Sequence, residues 1–85
     1  MKLVKLYTTG YCPYCTKAKD LLISLGVSFE EIDVENNTVL REELSEKFQW
    51  RTVPMIVAGD RFIGGFDDLK KLHDSGELMS IVNSK

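Results

Sequence analysis

The residues most able to do chemistry in this chain are its two cysteines, which stand together as Cys12-Pro13-Tyr14-Cys15. Thiols at that spacing can ligate a metal, staple a fold, or exchange with other disulfides. A structural zinc site needs four ligands, and beyond the pair the chain offers one distant histidine, His73, so no metal site is expected. His73 reads as a surface or partly packed residue rather than a ligand or base. The start Met1-Lys2-Leu3-Val4-Lys5-Leu6 is followed by no sustained apolar run of the secretory type. That places the pair in a reducing compartment, with the cytoplasm as the expected location, where a Cys12–Cys15 disulfide is transient and redox-active rather than structural.

The element around the pair explains how it would work. From Pro13 to Leu25 the apolar residues Ala18, Leu21, Leu22 and Leu25 recur at three- and four-residue spacing, and Gly26 follows where a helix end favours positive φ. Cys12 therefore becomes the N-cap, and Pro13 takes the first helical position, where its missing N–H is no loss. The Cys12 sulfur then faces free backbone N–H groups and the positive end of the helix dipole, which favour thiolate over thiol. Cys12 is the expected nucleophile. Cys15 lies one turn on, less exposed and less activated, and is placed to resolve a mixed disulfide formed at Cys12. Lys17 and Lys19 read as a solvated face and receive no catalytic part.

The remaining pattern supplies a scaffold. Residues 2 to 7 form a short strand that ends in the polar Thr8-Thr9-Gly10. Val27 to Val34 alternates as a strand, with a slip of phase between Phe29 and Ile32. Asn36, Asn37 and Thr38 offer N-caps to a second helix, on which Leu40, Leu44 and Phe48 recur every four residues. Val53 to Ala58 and Arg61 to Ile63 form a hairpin about Gly59-Asp60, a Gly-X loop suited to a type II′ turn. Phe66, Leu69 and Leu72 mark a helix whose first turn carries Asp67 and Asp68, and Glu77 to Ile81 add a further helical turn or two. The order β-α-β-α-β-β-α implies an α/β fold with a four-stranded mixed sheet flanked by helices, in which the first two strands run parallel.

Size and charge narrow the function classes. The 85 residues suit a single domain over 1–85, and 44% hydrophobic with 28% charged residues is ordinary for a folded soluble chain. A net charge of −2, with scattered Lys and Arg, gives no field for nucleic acid. No segment approaches membrane-spanning length. A monomer is expected.

Taken in order, Tyr11-Cys12-Pro13-Tyr14-Cys15, Thr52-Val53-Pro54 and Gly64-Gly65-Phe66-Asp67-Asp68 make nearly the whole chain resemble the dithiol glutaredoxins of the thioredoxin-like superfamily. The resemblance implies a glutathione-dependent thiol-disulfide oxidoreductase that reduces protein disulfides and glutathione mixed disulfides. Glutathione would be co-substrate, with no bound cofactor, at a potential of roughly −200 to −230 mV. It implies a cis peptide before Pro54, and backbone pairing of Val53 with the cysteinyl part of glutathione as a short added strand; Pro54 simply ending an edge strand is the plainer alternative. Pro13, Tyr14 and Pro54 would support the dithiol, Tyr14 and Pro54 would also contact glutathione, and Tyr11 and Tyr14 would shape the rim. Gly65 and the Phe66 and Asp67 amides would take the γ-glutamyl carboxylate, Asp67 would pair with its α-amino group, and Asp68 and Thr52 would stand close by. Plain helix capping by the two acids is compatible with this.

The resemblance breaks where the glycine carboxylate of glutathione should bind. Many glutaredoxins carry a lysine where Thr8 stands, and a polar residue where Trp50 stands. Arg51 is the replacement to consider, and Trp50 is expected to pack against the second helix beside Phe48. Two alternative functions follow. One is an electron donor fed by a thioredoxin reductase, for example to ribonucleotide reductase. The other is a glutathione-ligated [2Fe-2S] carrier, against which Pro13 weighs because such glutaredoxins usually carry a different tetrapeptide.

Overall fold

The structure is a computed structural model that describes residues 3–10 and 12–83; Tyr11 lies outside the described residues. Eight elements follow in order: β1 (Val4–Thr8), α1 (Pro13–Ser24), β2 (Phe29–Asp33), α2 (Thr38–Phe48), β3 (Met55–Ala58), β4 (Arg61–Gly64), α3 (Phe66–Ser75) and α4 (Glu77–Asn83). The sheet order is β2-β1-β3-β4. β1 runs parallel to β2 and antiparallel to β3, and β3 and β4 form the hairpin. This is the thioredoxin-like arrangement, a mixed four-stranded sheet between helical layers, with α4 as an eighth element.

Strand alternation sorts the core onto two faces. Val4 and Leu6 of β1 join Ile56 and Ala58 of β3, Ala18 and Leu22 of α1, Leu69 of α3, and Leu78 and Val82 of α4 in one cluster. On the opposite face Val34, Leu44 and Met55 pack with Tyr7, Ile32, Phe48, Trp50 and Phe62 beneath α2. The slip of phase in β2 follows from this division. Phe29 packs into the first cluster and Ile32 into the second. Glu31 shares the Phe29 face, and its carboxylate is met there by the Thr8 hydroxyl and Lys19.

Several boundaries are tighter than the sequence pattern suggests. Val27 is buried, but its N–H bonds to the Leu22 carbonyl at 3.0 Å, so it closes α1 and β2 begins at Phe29. Pro54 has no N–H to give a ladder, and β3 begins after it. The hairpin turn has φ 62 at Gly59 and no positive φ at Asp60, the pattern of a type II′ turn. The tail is longer than a turn or two: α4 runs to Asn83 and buries Leu78, Ile81 and Val82. No helix among the described residues is long and apolar enough to cross a membrane.

Candidate active site

Three chain reversals converge on one end of the sheet: the start of α1, the segment between α2 and β3, and the turn from β4 into α3. Cys12 caps α1 with extended backbone (φ −106, ψ 107), and Pro13 fills the first helical position. The Cys15 N–H points at the Cys12 sulfur at 3.3 Å, while the Cys12 carbonyl accepts from Cys15 and Thr16 at 3.1 and 3.3 Å. The Cys12 thiol donates to the Val53 carbonyl at 3.4 Å, which ties the helix start to the segment before β3. The Val53–Pro54 peptide is cis. Both cysteines are free thiols.

Cys15 differs sharply from its partner. It is 2% exposed. Burial, the hydrogen bond with Cys12 and the charge of Cys12 push its thiol up from the ordinary 9.0 to about 12, against opposing help from the Thr9 backbone and Lys19. At neutral pH Cys15 holds its proton. Cys12, by contrast, is partly exposed.

Lys19 departs from the solvated-face reading. Its ammonium pairs with Glu31 at 3.1 Å, and the same Glu31 oxygen accepts the Thr8 hydroxyl at 2.9 Å. Thr8, Lys19 and Glu31 line a cleft of about 240 Å³ together with Cys12 and Cys15. Lys17 rests over the Tyr14 ring at 5.1 Å. The signal for this cluster lay in β2, where Glu31 stands on the face on which alternation calls for an apolar residue, although its carboxylate stays exposed enough for water to solvate it as well.

On the other side of the dithiol lies a groove of about 310 Å³, lined by Tyr14, Trp50, Thr52, Gly65, Phe66, Asp67 and Asp68. Helix α2 ends on Gln49 in the left-handed region (φ 55), and the Trp50 N–H returns to the Ser45 carbonyl at 3.1 Å. That closure turns the indole inward. Trp50 meets Phe62 edge-on at 5.5 Å, and Phe62 stacks on Phe48 at 4.5 Å, so the indole packs as expected. It is also a groove wall, because a Cβ at Gly65 would lie 3.4 Å from Trp50 Cζ2. The indole Nε1 is buried with no acceptor among the described residues. Opposite, Tyr14 and Phe66 stand 6.3 Å apart.

The turn into α3 is built by its glycines. Gly64 has φ 124, and a Cβ there would come within 2.5 Å of Asp68 Oδ2. That same oxygen accepts the Gly65 N–H at 3.1 Å, capping α3. The first-turn amides of Phe66 and Asp67 have no acceptor within a helix, so this corner offers donors to an anion, flanked by two acids.

Of the expected ligand residues, Tyr14, Thr52, Gly65, Phe66, Asp67 and Asp68 share the groove. Val53 joins through its carbonyl contact with Cys12, and Pro54 is fully buried beneath. Arg51 stands apart: it lines a separate cleft with Arg41, Glu42, Ser45 and Glu46. Trp50 occupies the groove wall beside it in sequence.

An N-capping thiol, a buried second thiol and a cis-proline segment, all at one end of this sheet, define a thioredoxin-like dithiol protein. The family model for glutaredoxin matches residues 4–63. The chain is 43% identical over 84 residues to a glutaredoxin of Pseudomonas aeruginosa, covering 99% of this chain and all (100%) of that one. It is 45% identical over 78 residues to glutaredoxin 3 of Escherichia coli K12, covering 92% and 94%. A buckwheat glutaredoxin–glutathione complex superposes with a TM-score of 0.88 at 27% identity, over 93% of this chain and 74% of that one. The chain belongs to the glutaredoxin family and is a thiol-disulfide oxidoreductase.

Proposed function

We propose that this protein reduces glutathione mixed disulfides and protein disulfides, with Cys12 as nucleophile, Cys15 as resolving thiol and glutathione as co-substrate. The observation that carries the reading is the placing of the Cys12 sulfur. It lies at the head of α1, hydrogen-bonded to the Val53 carbonyl, while Tyr14 of the same helix start and Thr52 beside Val53 line the groove whose corner holds the free amides of α3. Glutathione would enter with its cysteinyl backbone along Val53, its γ-glutamyl carboxylate on the Phe66 and Asp67 amides, and its ammonium toward Asp67. The buckwheat relative, which shares this fold and was solved in complex with glutathione, supports glutathione as the ligand.

The Cys12 thiolate attacks the glutathione sulfur of a mixed disulfide. The old S–S bond breaks, the substrate leaves as thiolate and takes up a proton, and Cys12 carries the glutathionyl group. A glutathione thiolate then attacks that sulfur, releasing glutathione disulfide and the Cys12 thiolate. For protein disulfides Cys15 attacks the Cys12 sulfur instead, giving the Cys12–Cys15 disulfide and a free substrate thiol. Two of the causes that hold Cys15 protonated, the Cys12 hydrogen bond and the Cys12 charge, disappear once Cys12 is in a mixed disulfide. Capture of substrate thus makes Cys15 more acidic at the moment its thiolate is needed.

The test is reduction of a glutathionylated peptide by Cys12→Ser and Cys15→Ser. Cys12→Ser abolishes turnover and Cys15→Ser retains it; equal loss in both contradicts the division of roles. A cytoplasmic setting fits the free thiols that this cycle requires.

A further inference from the structure

The resolving thiol must lose its proton before its sulfur can attack Cys12, and it is 2% exposed. That proton needs a path and an acceptor. Cys15 lines the cleft of about 240 Å³ on the side of the dithiol away from the groove, and Glu31 and Asp33 line it from β2. Lys19 lines it too, one helical turn beyond Cys15 on the same face of α1. A water molecule occupies about 30 Å³ in the liquid, so the cleft has room for several, with polar groups on its walls to bond them.

The two carboxylates of the cleft differ in how they are held. Asp33 Oδ1 accepts the Glu35 N–H at 2.8 Å, which turns it to its own loop. Glu31 Oε2 takes both the Lys19 ammonium at 3.1 Å and the Thr8 hydroxyl at 2.9 Å, and Thr8 is itself buried. Those two contacts fix the Glu31 side chain through one oxygen and leave Oε1 with no donor among the described residues. A fixed carboxylate with an open oxygen thus shares a water-sized cleft with the buried thiol.

We infer that Glu31 accepts the Cys15 proton through the water of this cleft during the resolving step, held in place by Thr8 and Lys19. The inference rests on the reading of Cys15 as the resolving thiol. The Cys15 thiol gives its proton to a cleft water, which passes one to Glu31. The sulfur electron pair forms the Cys12–Cys15 bond, the bond from Cys12 to the substrate sulfur breaks, and the substrate leaves as thiolate. One disulfide replaces another, so no further oxidant or reductant enters. Glu31, whose side chain is 39% exposed, then returns the proton to bulk water. The Lys19 charge assists by favouring the Cys15 thiolate.

The experiment loads Cys12 of the wild-type protein, Glu31→Gln and Asp33→Asn with thionitrobenzoate, whose release as a coloured thiolate reports the Cys15 attack in a single turnover. Glu31→Gln should slow release at neutral pH by more than about tenfold, since a placed proton acceptor supplies about 100-fold or more. Asp33→Asn should change little. The Glu31→Gln deficit should shrink as pH rises and hydroxide takes the proton, and acetate added at constant ionic strength should restore part of the rate. Reduction of the same adduct by added glutathione, which does not use Cys15, should be unchanged. Release by Glu31→Gln as fast as wild type, or faster because Glu31 only blunts the Lys19 charge, overturns the inference. A slowing that acetate does not relieve, or that extends equally to reduction by glutathione, also overturns it. Release that persists undiminished in Cys15→Ala overturns the reading of Cys15 itself.

Discussion

Replacing Gly64 by alanine tests the construction of the groove corner. Two costs combine there. The φ of 124 is a conformation that side-chain-bearing residues avoid, at about 1–3 kcal/mol. A Cβ would also fall 2.5 Å from Asp68 Oδ2, so the carboxylate must swing away and release the Gly65 N–H it caps at 3.1 Å, at about 1 kcal/mol. Together Gly64→Ala should destabilise by about 3 kcal/mol, a large part of the roughly 4–13 kcal/mol expected of a chain this size. The corresponding fall in Tm is on the order of 15 °C. Urea denaturation supplies the assay, with two comparators. Gly65→Ala, whose Cβ only reaches 3.4 Å from Trp50, should cost under about 1 kcal/mol. Adding Asp68→Ala to Gly64→Ala should add little, because the cap is already lost. A Gly64→Ala protein within about 1 kcal/mol of wild type refutes the reasoning.

The buried thiol makes stability depend on alkali. Folding raises Cys15 from 9.0 to about 12, so the folded state keeps a proton that the unfolded chain releases. The stabilisation is complete below pH 9 and is lost as pH rises toward 12, at up to about 1.4 kcal/mol per pH unit. Denaturation midpoints across that window should fall less steeply in Cys15→Ala; an unchanged slope contradicts the assignment. Because the Lys19 charge opposes the rise at Cys15, Lys19→Met should slow intramolecular release from a Cys12–thionitrobenzoate adduct, while reduction of that adduct by added glutathione is little changed. Thr8→Val should cost about 1–2 kcal/mol in thermal or urea unfolding, since it removes the 2.9 Å hydrogen bond to Glu31 and leaves that carboxylate with Lys19 alone.

What could be read in the sequence was whatever local chemistry controls. The capping of α1 by Cys12, its closure at Gly26 and the Gly59-Asp60 hairpin follow from rules that act over a few residues, and the structure realises each. The thioredoxin-like sheet follows from element order, and the place of Trp50 in the Phe48 cluster from its position just after the second helix, whereas its contact with Phe62 is long-range. What escaped depends on pairs far apart in the chain. Lys19 looks like any exposed helix lysine until β2 brings Glu31 beneath it, and the slip of phase from Phe29 to Ile32 acquires meaning only when the two faces are known. Arg51 and Trp50 are adjacent, yet the left-handed Gln49 that ends α2 turns the indole into the groove and leaves the arginine outside. Nothing local distinguishes which of two neighbours will point inward at such a turn. The extent of α4 escaped for the same reason, because Leu78, Ile81 and Val82 are ordered by a core assembled from α1, α3 and the central strands.

The central claim is that glutathione is the reductant of this dithiol. The direct measurement is the rate at which the Cys12–Cys15 disulfide of the oxidised protein is reduced by glutathione, set beside its rate with NADPH and a thioredoxin reductase. Rapid reduction by glutathione is the predicted result. Reduction by the reductase alone would contradict it, keeping the nucleophile and the fold but making the protein a reductase-fed electron donor.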